Sequence, residues 1–284
     1  MSEQPITAGL RVERDGPVTT VVLDRPERLN PLSYEVIRGL RALLEELRRD
    51  TAQRVVLLTG SGRAFSAGID LKEQASGALW DDGVGPVQER YALQQAVGDL
   101  VAGLRRIPQP VVAVVAGVAA GGGMSLACAA DVRIAEPAAT FSAAFVRLGA
   151  SGGDLGSSYF LPRLIGWDRA AEMLYTGRTV DAQEALRLGL VTELTGPGEG
   201  IARARELAAR MLAVAPMSTR MTKSLLDLSR DGASLAQMLE YENRTQILLS
   251  RTEDFARGRP RSRSAERPGS ATGDAPDRRG RSTR

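Results

Sequence analysis

Two glycine-rich segments carry the residues whose types and spacing point most directly to chemistry. The segment "AFSAGID" spans residues 64–70 and "AAGGGMS" spans residues 119–125, and each follows a run typical of a buried strand. Glycines that open a helix leave backbone N–H groups free, and two such groups from two loops can converge on one oxygen. This arrangement is an oxyanion hole, which suits a carbonyl that gains negative charge. The alternative is that each glycine set only permits turns and close packing.

The sequence contains no histidine, which narrows the chemistry that these loops could support. Nucleophiles of the Ser-His and Cys-His types and His-ligated metal sites are excluded, and we expect no bound metal. Proton transfer must therefore use a carboxylate, lysine, tyrosine, serine or water. Cys128 is the single cysteine, so no internal disulfide can form, and we expect it to be a small buried side chain.

Short apolar runs alternate with helical patterns, which predicts parallel βαβ units and an α/β fold. Strands are predicted at 18–24, 54–60, 111–117 and 189–194, with two more around a turn in 133–142. Apolar residues at helical spacing predict helices at 33–48, 87–106, 201–214, 216–229 and 234–254.

Composition and charge separate the body of the chain from its end. The N-terminus has no basic and apolar leader, and no apolar run reaches 18 residues, so we expect a cytoplasmic protein that does not enter a membrane. Residues 257–284 hold nine arginines and three acidic residues, whereas the whole chain has a net charge of only +3. We expect this Arg-, Pro- and Ser-rich tail to be disordered, and its charge could bind acidic partners.

Several ordered motifs resemble the crotonase family of enoyl-CoA hydratases and isomerases, over roughly residues 10–256. The resemblance lies in "DRPERLNPLS" (24–33), "GRAFSAGIDLKE" (62–73), "PVVAVVAGVAAGGGMSLACAADVRIA" (110–135), "TGRTVDAQEALRLGLVTEL" (176–194) and "PMSTRMTKSLL" (216–226). It implies a crotonase-like spiral of ββα units with a helical C-terminal region. We accordingly expect a spiral core at 1–200, a helical oligomerisation region at 201–256 and a homotrimer or hexamer.

The resemblance also implies a role for individual residues. The oxyanion-hole donors would be the backbone N–H groups of Ile69 and Gly122. Coenzyme A would enter as part of the acyl-CoA thioester substrate, and no prosthetic group is implied. Its adenine and pantetheine would run past Ala64, Ser66 and Ala67, and its phosphates or ribose past Arg25 and Leu29. Asp70 and Lys72, which follow directly, are expected to fix their loop.

The family's two hydratase glutamates are replaced in this sequence by Ser125 and Phe145. Neither side chain can replace a carboxylate in moving protons, so water addition by the two-carboxylate route is not expected. Asp154, in "SGGDLGSSYF", lies where some isomerases and dehalogenases of the family carry an aspartate, and we predict that it is the general acid/base. The alternative is that Asp154 only caps a helix that starts there. Glu242, with Glu240, is a candidate second carboxylate, although Glu is more often found on a solvated helix face.

These observations predict an acyl-CoA enzyme that stabilises a thioester enolate and moves protons as an isomerase does, through Asp154. A hydrolase or a C–C bond-cleaving homologue would use the same oxyanion hole. A different class of protein also stays open, namely a non-catalytic acyl-CoA-binding or scaffold protein whose basic tail binds nucleic acid.

Overall fold

The computed structural model describes residues 2–80 and 85–258. Its larger sheet has seven strands, of which the first three are antiparallel and the remainder join in parallel. In spatial order they are β1 (Ser2–Thr7), β2 (Leu10–Asp15), β3 (Val18–Leu23), β4 (Val55–Gly60), β6 (Val111–Val115), β8 (Val132–Ala135) and β11 (Glu193–Leu194).

A second, four-stranded sheet runs in the order β10 (Thr179–Asp181), β9 (Thr140–Ser142), β7 (Val118–Ala120) and β5 (Ala64–Ser66). Strands β4, β6 and β8 belong to the larger sheet, and the strand that follows each of them belongs to the smaller one. The chain therefore advances as a spiral of paired strands, which confirms the predicted α/β class. Our prediction that the two glycine-rich segments are loops was wrong in part, because the first begins with the short strand β5 and the second begins inside the short strand β7.

The helices of the described residues are α1 (Tyr34–Arg49), α2 (Leu71–Ala75), α3 (Pro86–Arg106), α4 (Gly122–Ala129), α5 (Ser157–Ile165), α6 (Trp167–Thr176), α7 (Ala182–Leu188), α8 (Gly200–Leu212), α9 (Pro216–Arg230), α10 (Leu235–Leu249) and α11 (Glu253–Gly258). Short 3-10 helices lie at Pro26–Arg28 and Ala144–Leu148. The start of α1 follows from its cap, since the Ser33 hydroxyl accepts a hydrogen bond from the Val36 N–H (3.3 Å). The predicted helix 234–254 is divided, because α10 ends at Leu249.

Both faces of the larger sheet are covered, which explains its continuous apolar strands. In β4, Val56 and Leu58 join the main core, whereas Val55 and Leu57 point to a second cluster on the opposite face. That second cluster is closed by the small residues Ala204 and Ala208 of α8. The first helix of the predicted C-terminal region thus packs directly on the sheet.

The two ends of the chain differ in how the sequence-based expectations compare with the structure. The hairpin formed by β1 and β2 was not predicted, because its strands mix polar and apolar residues without a strict alternation. The predicted tail falls almost wholly in residues 259–284, outside the described residues. Among the described helices, none is long and apolar enough to span a bilayer.

Helix α4 is buried along its whole length, from Gly122 to Ala129. Its C-terminal carbonyls need donors, because the last turn of a helix has no partners of its own. Arg105 Nη1 donates to the Ala129 carbonyl (3.0 Å), and Arg133 Nη1 donates to those of Cys128 (3.4 Å) and Ala130 (2.7 Å). Positive charge at this end also complements the helix dipole.

A buried ionic network ties helix α9 to the end of α4. Lys223 Nζ lies 3.2 Å from Asp131 Oδ2 and donates to the carbonyls of Leu104 (3.0 Å) and Gln109 (2.8 Å). Asp131 Oδ1 also accepts from Arg105 Nη1 at 2.6 Å. Burial lowers the pKa of Lys223 to about 8, partly opposed by the charge of Asp131. For Asp131, burial raises the pKa, but the charges of Lys223 and Arg105 outweigh it and hold the pKa below its usual value.

We predict that Lys223→Met destabilises the protein by about 3 kcal/mol at pH 7, because it leaves the buried carbonyls of Leu104 and Gln109 without this donor and removes a positive charge beside buried Asp131. Urea unfolding followed by circular dichroism measures the change. The expectation that Lys72 fixes its loop was wrong, because its side chain is exposed on α2 and forms no hydrogen bond or ion pair with the described residues. Lys72→Met therefore serves as the control and should change the free energy of unfolding by less than about 0.5 kcal/mol.

The same pair of proteins tests the pKa of Lys223. Since the folded-state pKa lies below the unfolded value of about 10.4, the unfolded chain binds more protons between pH 8 and 10. The stability of wild type relative to Lys223→Met should therefore rise with pH in this window, by up to about 1.4 kcal/mol per pH unit. Parallel stability curves for the two proteins would contradict this assignment.

Candidate active site

The first loop of the site is held to strand β5 by one buried asparagine. Asn30 Nδ2 donates to the carbonyls of Ser61 (2.8 Å) and Ala64 (2.7 Å), and its Oδ1 accepts from the Arg25 N–H (2.7 Å). The Ala67 N–H completes the link by donating to the Leu29 carbonyl at 2.9 Å. Sequence reasoning did not single out Asn30, and the only signal was an asparagine before a proline in a loop.

The three glycines at 121–123 are required by contacts on different sides of the chain. A Cβ at Gly123 would lie 2.2 Å from the Ser66 carbonyl oxygen, so strand β5 and helix α4 touch through their backbones. Gly121 has a φ of +52° and lies under the ring of Phe145. A Cβ at Gly122 would meet Leu155 Cδ1 at 3.2 Å and Leu32 Cδ1 at 3.3 Å. Glycine is thus needed both for conformation and for close approach.

The backbones beside the two predicted N–H donors lie next to each other. A Cβ at Gly68 would lie 3.1 Å from the Gly122 nitrogen. Gly122 is the first residue of α4, so its N–H has no acceptor within the helix. The Leu32 N–H donates to the Gly68 carbonyl (2.7 Å), and the Leu32 carbonyl accepts from the Asp70 N–H (3.1 Å). Because these bonds flank Ile69 as in a parallel ladder, the N–H of Ile69 points away from Leu32.

Asp154 lies in a loop that packs against α4. The Leu155 side chain, next in sequence, is the one that covers Gly122. The Ser125 hydroxyl donates to the Asp154 carbonyl at 3.5 Å, and the buried Ser157 hydroxyl accepts from the Asp154 N–H at 3.0 Å. The loop is therefore fixed by its backbone close to the start of α4.

Our prediction that Asp154 starts a helix was wrong. Helix α5 begins at Ser157, its N-cap is Gly156, and no side chain caps it. The Asp154 carboxylate instead accepts from the Leu155 N–H (2.8 Å) and from Gln94 Nε2 (2.5 Å). Leu155 has a φ of +48° and Gly156 of +80°, a left-handed pair that delays the helix and turns this carboxylate away from its end.

Strained backbone is concentrated around this region. Among the described residues, the non-glycine residues with positive φ are Leu29 (+64°), Asn30 (+52°) and Leu155 (+48°). All three lie in the loops that surround Gly122, and such conformations persist only where neighbouring contacts enforce them.

The residues expected to meet CoA differ in how accessible they are. The side chains of Ala64 and Ser66 are buried, which leaves half-buried Ala67 as the accessible member of that segment. Arg25 Nη1 donates to Asp70 Oδ2 at 3.0 Å, and Arg28 Nη2 lies 3.4 Å from Asp70 Oδ1. Asp70 is buried and also caps α2 by accepting from the Glu73 N–H, which confirms that it fixes its loop.

The remaining carboxylate candidates lie elsewhere. Glu242 is exposed on α10, a helix that packs mainly on α9, and Glu240 forms an ion pair with Arg244 on the same helix. The structure therefore does not bring Glu242 to the loops around Gly122. Ser125 and Phe145, which the family resemblance predicts to stand in place of two glutamates, are both buried. Among the described residues, no cluster of Cys, Asp and Glu side chains is suited to hold a metal ion.

Comparisons with known proteins identify the family and the fold. Residues 13–265 match the family model described as enoyl-CoA hydratase/isomerase. The chain is 39% identical over 239 residues to the probable enoyl-CoA hydratase EchA12 of Mycobacterium tuberculosis, covering 82% of this chain and 81% of that protein. The crystal structure of enoyl-CoA hydratase from Bacillus anthracis matches with a TM-score of 0.81 and 32% identity, over 88% of this chain and 94% of that one. That of a probable enoyl-CoA hydratase/isomerase from Mycobacterium abscessus matches with a TM-score of 0.78 and 32% identity, over 84% and 89%.

The glycine contacts predict different costs for neighbouring substitutions. Gly123→Ala should destabilise the protein by about 3 kcal/mol or more, because the added methyl group meets a backbone carbonyl that cannot move alone. Gly122→Ala should cost about 1 kcal/mol or less, because leucine side chains can turn aside. Urea denaturation of both variants measures the difference, and equal losses would contradict the described contact between β5 and α4.

Proposed function

This chain belongs to the enoyl-CoA hydratase/isomerase family, and from that premise we propose that it is an acyl-CoA enzyme that stabilises a thioester enolate. The observation that carries the proposal is the contact between the Gly68 and Gly122 backbones, beside which the loop of Asp154 is packed. It supports a site in which two N–H groups and one carboxylate face the same bound thioester.

The backbone N–H groups of Ile69 and Gly122 are proposed to bind the thioester oxygen. The surroundings favour this role, since Leu32, Leu155 and Phe145 make the site apolar. Hydrogen bonds to a developing negative charge are stronger where water is excluded, and donors fixed by the fold need no reorganisation. The N-terminus of α4 adds the positive end of its dipole.

Asp154 is proposed to carry the proton. Removing a proton from the acyl chain gives a dienolate whose charge rests on the thioester oxygen, and the same carboxyl group returns the proton to another carbon of that dienolate. One carboxylate suffices for this isomerisation, and Ser125 and Phe145 stand where a hydratase has its two glutamates. We therefore favour the isomerase over the lyase reaction.

CoA is proposed to bind along the first loop, as part of the substrate and without a prosthetic group. Arg25 already neutralises the buried Asp70, so its guanidinium could contact a phosphate only through its exposed portion. Leu29 and Ala67, joined by a backbone hydrogen bond, present the accessible surface beside it.

A homotrimer or hexamer is proposed for the assembly. The apolar side chains left exposed on α10 support a subunit contact there, namely Leu235, Leu239, Tyr241, Ile247 and Leu248. Sedimentation equilibrium should then give a mass three or six times 30.3 kDa. A monomer at micromolar concentration would contradict the proposal.

The proposed reaction is tested with crotonyl-CoA and a 3,5-dienoyl-CoA. Hydration of crotonyl-CoA is followed by the loss of its conjugated absorbance, and isomerisation of the dienoyl-CoA by the absorbance gained as its double bonds become conjugated with the thioester. We expect turnover of the dienoyl substrate, little hydration of crotonyl-CoA, and a fall in kcat of about 10²- to 10⁴-fold in Asp154→Asn. Asp15→Asn, at the exposed end of β2, is the matched control and should behave as wild type.

Other outcomes of this assay have definite meanings. Rapid hydration of crotonyl-CoA by wild type and by Asp154→Asn would assign the protein to the lyases and remove Asp154 from the mechanism. If the protein is inactive on both substrates but still binds acyl-CoA, the result would favour a hydrolase, a C–C bond-cleaving enzyme or a non-catalytic acyl-CoA-binding protein.

A further inference from the structure

The two oxygens of the Asp154 carboxylate have different surroundings. Oδ1 accepts two hydrogen bonds, from the Leu155 N–H at 2.8 Å and from Gln94 Nε2 at 2.5 Å. Within the part of the chain that the structure describes, Oδ2 accepts none. The carboxylate is thus held by one oxygen and offers the other.

We propose that Gln94 is a positioning residue, which fixes Oδ1 so that Oδ2 of Asp154 is the atom that takes and returns the proton. This inference rests on the proposed function. It adds which oxygen of the carboxylate reacts and which side chain on α3 holds it there.

The physical reason is that an aspartate carboxylate turns easily about its last torsion, whose energy wells are broad. One hydrogen bond from its own neighbour, the Leu155 N–H, lets the group pivot. A second donor from a different element restricts that rotation, and a bond to a charged acceptor is stronger than one between neutral groups. Gln94 comes from α3, so it joins two segments that are 60 residues apart in sequence.

Gln94 contributes little to the fold itself, which separates the two roles experimentally. Its side chain is exposed, whereas the core face of α3 is formed by neighbours such as Leu93 and Val97. Replacing it should therefore leave the melting temperature almost unchanged. The next residue, Gln95, is also exposed and forms no hydrogen bond with Asp154 in the part of the chain that the structure describes, so Gln95→Leu is a matched control.

The experiment compares Gln94→Leu and Gln94→Glu with Gln95→Leu and wild type, using the dienoyl-CoA. Glutamate has nearly the size of glutamine but, when ionised, cannot donate a hydrogen bond. We expect kcat to fall about 10- to 100-fold in both Gln94 variants, as for the loss of a hydrogen bond to a charged group. The dissociation constant for butyryl-CoA, a saturated thioester that cannot isomerise by this route, should change less than about twofold, because no substrate contact is removed.

Three results would overturn the inference. If Asp154→Asn is inactive while both Gln94 variants keep the kcat of wild type, Asp154 acts without Gln94 and only the positioning role is lost. If Asp154→Asn retains full activity, the proposed function fails, and Gln94 has no reacting group to position. A loss of kcat in Gln95→Leu equal to that in Gln94→Leu would also contradict the assignment, because it would reflect a disturbance of α3.

Discussion

The burial of helix α4 is the constraint on which the rest of the structure depends. Every residue from Gly122 to Ala129 is buried, so neither end of this helix can rely on water for its unpaired backbone groups. The C-terminal carbonyls are satisfied by Arg105 and Arg133, which are in turn held by acidic and carbonyl partners. At the other end no side chain caps the helix. The free N–H groups are therefore concentrated at the N-terminus, where the glycines leave room for a ligand atom.

The site that results is made mainly from backbone, and its accuracy comes from contacts that hold loops in strained conformations. Leu29 and Asn30 keep a left-handed backbone because the Asn30 amide is bonded on three sides. Leu155 keeps the same conformation because Ser157 and Ser125 bind the backbone of Asp154 on either side of the α4 contact. Side chains that do not themselves line Gly122 thus hold the loops in which the proposed N–H donors lie. Substitutions at Asn30 or Ser157 would accordingly disturb the site without removing any group that touches substrate.

The sequence allowed some of these features to be predicted and concealed others for physical reasons. Strands β4 and β6 and helices α1 and α3 follow from apolar periodicity alone, because burial on one or both faces dictates their pattern. The glycine triplet predicted that another part of the chain approaches its backbone closely. The partner could not be predicted, because it is the backbone carbonyl of Ser66, in a strand only three residues long, and a backbone atom does not depend on the type of side chain. The start of α5 was predicted too early because aspartate is a preferred N-cap residue, whereas Leu155 and Gly156 turn the chain before the helix begins at Ser157. Gln94 gave no signal, since an exposed glutamine on a helix is ordinary.

In the proposed site, the replacement of the family's two glutamates by Ser125 and Phe145 would also change the balance of charge. Two ionised carboxylates beside an enolate repel each other and the developing negative charge. One of them therefore has a raised pKa and is held protonated. Here the corresponding positions hold a hydroxyl bonded to a backbone carbonyl and an aromatic ring over Gly121, both buried. Asp154 is then the remaining carboxylate of the proposed site, and hydrogen bonds from Gln94 and the Leu155 N–H already offset part of its charge. With Asp154 as the proposed proton carrier, such a site would favour a reaction in which one group removes and returns a proton, over one in which two groups must activate and deliver water.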